Sequence, residues 1–291
     1  VQDRSIDGGF GHRRVAKAMV MGELPRMRIA TWNINSLRLR LGLLERLRDS
    51  LRPDVICLQE TKVPDELFPA DGLRALGYEH VTGRGMKSYN GVAIASRHPI
   101  TVRTDSPDWC ERGDCRHLHV SVSAPGGAIE LHNFYVPAGG DVADPAVNVK
   151  FAHKLAFVDE ATLYFAREGV GARTVLVGDL NIAPLENDVW SHRQLVDVVS
   201  HTPVEVDKLN RWRDAGFIDA VRHFVPASEK LYTWWSYRNR DWRASDRGRR
   251  LDHVWVSPDL ENTLKGYEIL RDARDWPQTS DHVPVMVELG G

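Results

Sequence analysis

Several short apolar runs in this chain lead directly into, or out of, an acid or an amide. Val55-Ile56-Cys57-Leu58 runs into Gln59-Glu60-Thr61-Lys62, and Thr174-Val175-Leu176-Val177 runs into Gly178-Asp179-Leu180-Asn181. Residues 28–32 run into Asn33 and Asn35, Asp252 opens a run beside His253, and Ser280-Asp281-His282 precedes the last run. Continuous apolar runs of this length suit strands covered on both faces. Strand ends of one sheet converge on a rim, and ligand sites of open α/β sheets lie on such rims. A fold that buries these runs is therefore expected to gather their polar ends in one place.

Helix-period segments separate the runs. Residues 36–52 place Leu37, Leu41, Leu44, Leu47 and Leu51 on one face, and Pro53 stops the helix. Residues 148–168 do the same with Phe151, Leu155, Val158 and Phe165. Further strands are expected at 92–95, 118–122, 129–135 and 283–289. This alternation predicts an α/β protein. No low-complexity linker splits 27–289, so one domain is expected over 27–291, with 1–26 as a flexible N-terminal extension. The two halves rhyme, each opening on a strand that ends in an Asn-containing turn at Asn33 and Asn181.

The 291 residues carry 38 Lys and Arg against 40 Asp and Glu, a formal charge of −2. That balance excludes a strongly basic, non-specific nucleic-acid coat, but not an enzyme whose positive field is local. No run approaches the ~20 apolar residues of a membrane span. Three cysteines are too few for a disulfide framework, which points to a reducing cytoplasm. Cys110 and Cys115 offer half a zinc site with no second pair at ligand spacing. No sustained apolar heptad calls for an oligomer, so a monomer is expected.

Asn33, Glu60, Asp179, Asn181, Asp252, Asp281 and His282 are oxygen donors plus one imidazole. Such a set suits a hard cation such as Mg²⁺ better than zinc. Each residue alone has a plainer reading as a cap, a turn former or a surface acid; their joint occurrence beside buried-type runs is harder to dismiss. Between residues 232 and 250, Tyr232, Trp234, Trp235, Tyr237 and Trp242 precede or interleave with six arginines. That mixture suits a surface tracking a phosphate backbone, or else a core tryptophan strand followed by a solvated loop.

The ordered strings Thr31-Trp32-Asn33-Ile34-Asn35, Leu58-Gln59-Glu60-Thr61-Lys62, Asn133-Phe134-Tyr135-Val136-Pro137, Gly178-Asp179-Leu180-Asn181, Thr233-Trp234-Trp235, Arg250-Leu251-Asp252 and Ser280-Asp281-His282-Val283-Pro284 carry a resemblance across 31–285. The chain resembles the exonuclease III-type apurinic/apyrimidinic (AP) endonucleases of the endonuclease/exonuclease/phosphatase superfamily, which includes DNase I. The resemblance implies a four-layered α/β sandwich, with two mixed, mainly antiparallel sheets face to face and helices outside. It implies a Mg²⁺-dependent DNA-repair phosphodiesterase, with Mn²⁺ as substitute and one or two ions undecided. Its partner would be double-stranded DNA with abasic sites or 3′ ends, with no membrane involved. By position, Glu60 would be the main metal carboxylate, with Asn33 and Asp281 close by. Asp179 would position or deprotonate the attacking water beside Asn181. His282, oriented by Asp252, and Tyr135 would contact the scissile phosphate. Arg116 would bind phosphate, Trp234 and Leu251 would wall a pocket for the abasic sugar, and Arg238 would enter the duplex. Arg249 departs from the apolar or aromatic residue expected in that pocket, and Asn35 stands where some relatives have an acid. A phosphoesterase of the same superfamily with another substrate, and a non-catalytic DNA-binding module, are the other readings.

Overall fold

The computed structural model describes residues 26–103 and 107–291. The expected extension, up to residue 25, lies outside them; Arg26 already belongs to the first strand. Two six-stranded mixed sheets pack face to face. The first has the order β13 (Leu264–Ile269), β14 (Val285–Gly290), β1 (Arg26–Asn33), β2 (Val55–Gln59), β4 (Tyr89–Ser96), β3 (His80–Met86). The second has the order β5 (Ile100–Val102), β6 (His117–Val122), β7 (Ile129–Tyr135), β8 (Thr174–Asp179), β12 (Asp252–Val256), β9 (Ile218–Asp219). A small ribbon joins β10 (Trp234–Trp235) to β11 (Gly248–Arg249). Each large sheet has one parallel pair at its centre, β1 with β2 and β7 with β8.

Alternation along the strands assigns every side chain to a layer. Met27 and Ile29, Val55 and Cys57, Leu131, Val175 and Val177, and Val254 and Val256 fill the space between the sheets. The intervening Ala30, Trp32, Ile56 and Leu58 face outward, onto α1 (Leu37–Arg40) and α2 (Leu43–Leu51). On the other side Phe134, Leu176 and Trp255 meet α4 (Val149–Glu168) and α6 (Pro203–Asp214). Both faces of each sheet are thus covered, giving the four-layered sandwich. Shorter helices complete the list: α3 (Ala70–Ala75), α5 (His192–Leu195) and α7 (Trp242–Ser245).

The same inward parity, followed to one end of the strands, turns polar. Asn33, Gln59, Asn133, Asp179 and Asp252 continue the rows of core residues, and all are at most 1% exposed. Asn133 donates to Leu58 O and Ala93 O and accepts from Gln59 Nε2 at 2.7 Å, tying the two sheets together. Buried amides of this kind cost stability unless paired, and here the pairing crosses the sandwich.

Two expectations are corrected. The helix over 36–52 is two helices, α1 and α2, separated at Leu41 and Gly42. Gly42 weakens helix propensity there, and Arg40 is drawn to Gln278 O at 2.7 Å. The last strand begins at Val285, because Asp281 and His282 are held by side-chain contacts ahead of it.

Candidate active site

The four ends of the two parallel pairs carry Asn33 (β1), Glu60 (after β2), Tyr135 (β7) and Asp179 (β8). Asp252 lies directly opposite Asp179 in the ladder, and antiparallel β14 brings Asp281 and His282 to the end of β1. Glu60 and Asn181 both have left-handed backbones, with φ of 55°. For Glu60 this is an uncommon conformation, of the kind that concentrates at functional sites.

Asp179 accepts from Asn33 Nδ2 at 2.8 Å, Asn181 Nδ2 at 3.1 Å and Asn181 N at 3.0 Å. Burial raises its carboxyl to about 7, against the lowering influence of His282, with Asp252 raising it further. His282 Nδ1 lies 2.8 Å from Asp252 Oδ2, and its Nε2 lies 3.6 Å from Asp179 Oδ2. Burial alone would lower the imidazole, but Asp252 and Asp179 outweigh it and raise it to about 10. The two carboxylates thus favour the charged form of the ring. Thr233 Oγ1 donates to Asp252 Oδ2 at 2.6 Å, and Trp32 Nε1 donates to His282 O at 3.0 Å.

Asp281 accepts from Trp234 Nε1 at 2.9 Å and from Asn35 Nδ2 at 3.3 Å. Lys62 Nζ joins Asn35 Oδ1 to Glu60 Oε1, each at 2.8 Å. Glu60 and Asp281 are thus linked through Asn35 and Lys62. Asn33 is committed to Asp179 through Nδ2 and accepts from Asn35 N through Oδ1, leaving one lone pair of Oδ1 for a cation.

Asp179, Asp252 and His282 form a buried group with ligand atoms within 4.8 Å of one another; where the ring is charged both its nitrogens are donors, so the carboxylates are the part of the group that can face a cation. Asp252 Oδ1 is buried without a hydrogen-bond partner. With Glu60, Asp281 and Asn33 alongside, the donor chemistry fits a hard divalent cation.

Tyr135 is buried, and its phenol is held well above its usual range by burial, with Glu60 and Asp179 adding to this. Arg116 is not on the open surface. Its guanidinium packs over Tyr135 at 4.9 Å and bonds Asp114, Tyr89 Oη and Tyr135 O. Nε, Nη1 and Nη2 each donate to one protein partner, which commits three of the five N–H groups of the guanidinium.

The expected DNA-facing segment divides. Tyr232, Trp235 and Trp242 are core. Arg250 is buried against Asp219 and Asp188, and Arg243 pairs with Asp272 and Asp275. Trp234, Arg238, Arg247 and Arg249 instead line a cavity of about 720 Å³. Leu251 lies behind Trp234 in an apolar cluster with Val189 and Leu195.

Below the site, Lys154 of α4 is fully buried and pairs with Glu205 of α6 at 2.5 Å. Its ammonium also donates to Asn181 O at 2.7 Å and Ala138 O at 3.3 Å. The signal in the sequence was a lysine among the apolar positions Phe151, Leu155 and Val158.

A family model described as the Endonuclease/Exonuclease/phosphatase family matches residues 30–282. Exodeoxyribonuclease III of Haemophilus influenzae is 31% identical over 274 residues, covering 90% of this chain and 100% of that protein. A 3′ phosphatase from Neisseria, solved with product DNA hairpin, superposes with a TM-score of 0.82 at 31% identity, covering 91% of this chain and all of that one. An AP endonuclease from Archaeoglobus fulgidus superposes with a TM-score of 0.80 at 30% identity, over 90% and 98% of the two chains.

Proposed function

The chain belongs to the endonuclease/exonuclease/phosphatase family, and from that footing we propose that it is a Mg²⁺-dependent DNA-repair phosphodiesterase. It incises duplex DNA 5′ to abasic sites and removes 3′-terminal nucleotides or blocking groups. The observation that carries this reading is the convergence of Asp179, the Asp252–His282 pair and the Glu60–Asp281 carboxylates at one end of the interlayer, beside an arginine- and tryptophan-lined cavity.

Phosphodiester hydrolysis is largely positioning plus stabilisation of spreading negative charge. Asp179, raised to about 7, is suited to orient water and take its proton. His282 keeps Nδ1 on Asp252 and presents a charged Nε2 to a non-bridging oxygen. Tyr135 supplies a further polar contact at that oxygen, while Asn181, whose amide donates to Asp179 Oδ2 and Val136 O, holds the base in place. Glu60, Asp281 and the remaining lone pair of Asn33 would hold the cation, which when bound neutralises charge on the phosphate and the departing 3′ oxygen. Water adds to phosphorus, the bond to O3′ breaks, and O3′ receives a proton.

The test is an end-labelled duplex bearing a tetrahydrofuran abasic analogue, incubated with Mg²⁺ and with EDTA. A nick that requires Mg²⁺ is expected, and its absence would sink the reading. A second reading, removal of a 3′ phosphate, is supported by the likeness to the Neisseria 3′ phosphatase; a 3′-phosphorylated duplex in the same assay, with release of inorganic phosphate measured, addresses it.

A further inference from the structure

Arg249 sits on β11 opposite Trp234 of β10. Its Nη1 donates to Val199 O at 2.9 Å and Ser200 Oγ at 2.6 Å, and its guanidinium lies 5.5 Å from the Trp234 ring centre. Among the described residues no carboxylate pairs with it, whereas its neighbours Arg250 and Arg243 each pair with two. Nε and Nη2, the side-on edge of the fork, have no hydrogen-bond partner there. The cation is half-buried, and burial lowers its affinity for its proton. A partly desolvated charge whose hydrogen-bond partners are both neutral, with Glu205 acting on it only at longer range, is costly to keep, and an anion would relieve that cost.

The location gives the anion a function. The cavity that Arg249 lines also carries Arg238 and Arg247, against one acid, Asp141. Trp234 forms its wall and donates to Asp281, so the cavity and the catalytic carboxylates share that indole. The seat of Arg249 is fixed relative to the reacting centre. Glu205 accepts from Ser200 N at 2.9 and 3.0 Å and pairs with Lys154, which holds Asn181 O. Ser200 O also accepts from Ala183 N at 2.7 Å.

We propose that Arg249 makes this cavity a subsite for an anionic fragment carried on the scissile phosphate at a DNA 3′ end, held side-on by Nε and Nη2. A carboxylate and a phosphate both present paired oxygens that match this edge of the fork. The proposal rests on the nuclease reading above and names which blocked ends that site prefers. Hydrolysis is balanced as before: water adds to phosphorus, the bond to O3′ breaks, and the fragment leaves with its phosphate.

The test uses one duplex sequence with three 3′ ends: a tetrahydrofuran 5′-phosphate with a free hydroxyl, the same group carrying a 3′ phosphate, and a phosphoglycolate. Arg249→Met is expected to lower kcat/KM on the two anionic ends about tenfold more than on the neutral end, and Arg249→Lys to recover part of the difference. A loss confined to one anionic end names the phosphate or the carboxylate as the source. Equal loss on all three ends, or no loss, overturns the proposal, since a packing role predicts no discrimination. A second readout needs no turnover: 2-phosphoglycolate is expected to change tryptophan fluorescence saturably in the unaltered protein and not in Arg249→Met. Identical titrations would overturn the subsite. Failure of the unaltered protein to release any end with Mg²⁺ would instead overturn the nuclease reading.

Discussion

Asn33 and Asp179 end strands of opposite sheets, and 2.8 Å separates Asn33 Nδ2 from Asp179 Oδ2. The hydrogen bond spans the sandwich and fixes the carboxylate that faces His282. Asp179→Asn removes the charge and retains the shape. It is expected to lower Mg²⁺-dependent nicking at least about 10³-fold, while anisotropy still registers DNA binding. Nicking that survives the change would undo the assignment of Asp179.

Asp252 acts through His282. Asp252→Asn withdraws the charge that keeps the imidazole protonated, and it leaves the Glu60–Asp281 side of the site intact. The expected result is a loss in kcat of about 10²-fold or more, with Mg²⁺ affinity unchanged by calorimetry. Full turnover in this variant would show that the pairing does not matter.

The Lys154–Glu205 pair is completely buried. Removing one partner leaves the other charge uncompensated, so Lys154→Met is expected to cost about 3 kcal/mol in urea unfolding. Lys154→Met combined with Glu205→Gln is expected to cost less than the single change. Simple additivity of the two single variants would mean that the charges do not couple.

His253 is buried, donates through Nε2 to Ile182 O at 2.8 Å, and is lowered to about 3 chiefly by burial. Its unfolded value is near 6.5, so between pH 6.5 and 3 the unfolded chain binds the extra proton. Stability from this residue is complete above pH 6.5 and is lost as pH falls. His253→Gln should flatten the pH dependence of unfolding free energy between pH 4 and 6 by about 1.4 kcal/mol per pH unit. Parallel curves for both proteins would contradict the buried neutral state.

The strands read most clearly from sequence are those buried on both faces: β2, β4, β8 and β12 carry continuous apolar runs. The edge strand β3 has glycines at 83 and 85, and β13 is half polar with a bulge near Gly266, so neither announces itself. The acids at strand ends were legible as a list, and the Asp252–His282 pairing with them. Lys62, Lys154 and Thr233 were not recognised in these roles, because each acts through a partner more than ten residues away or on another element. Arg116 shows the converse: its charge was visible, but its enclosure by Asp114, Tyr89 and Tyr135 depends on tertiary packing.

The pairing of β1 with β14 puts Arg26 opposite Gly290. On a ribosome, residues that lie side by side in this pair of strands emerge more than 250 positions apart. At about 5–20 residues per second, a nascent chain exists for many seconds with Asn33, Glu60 and Asp179 already made and their partners Asp281 and His282 absent. Its candidate site cannot assemble during that interval, so synthesis itself delays the moment at which a cell holds a competent phosphoesterase.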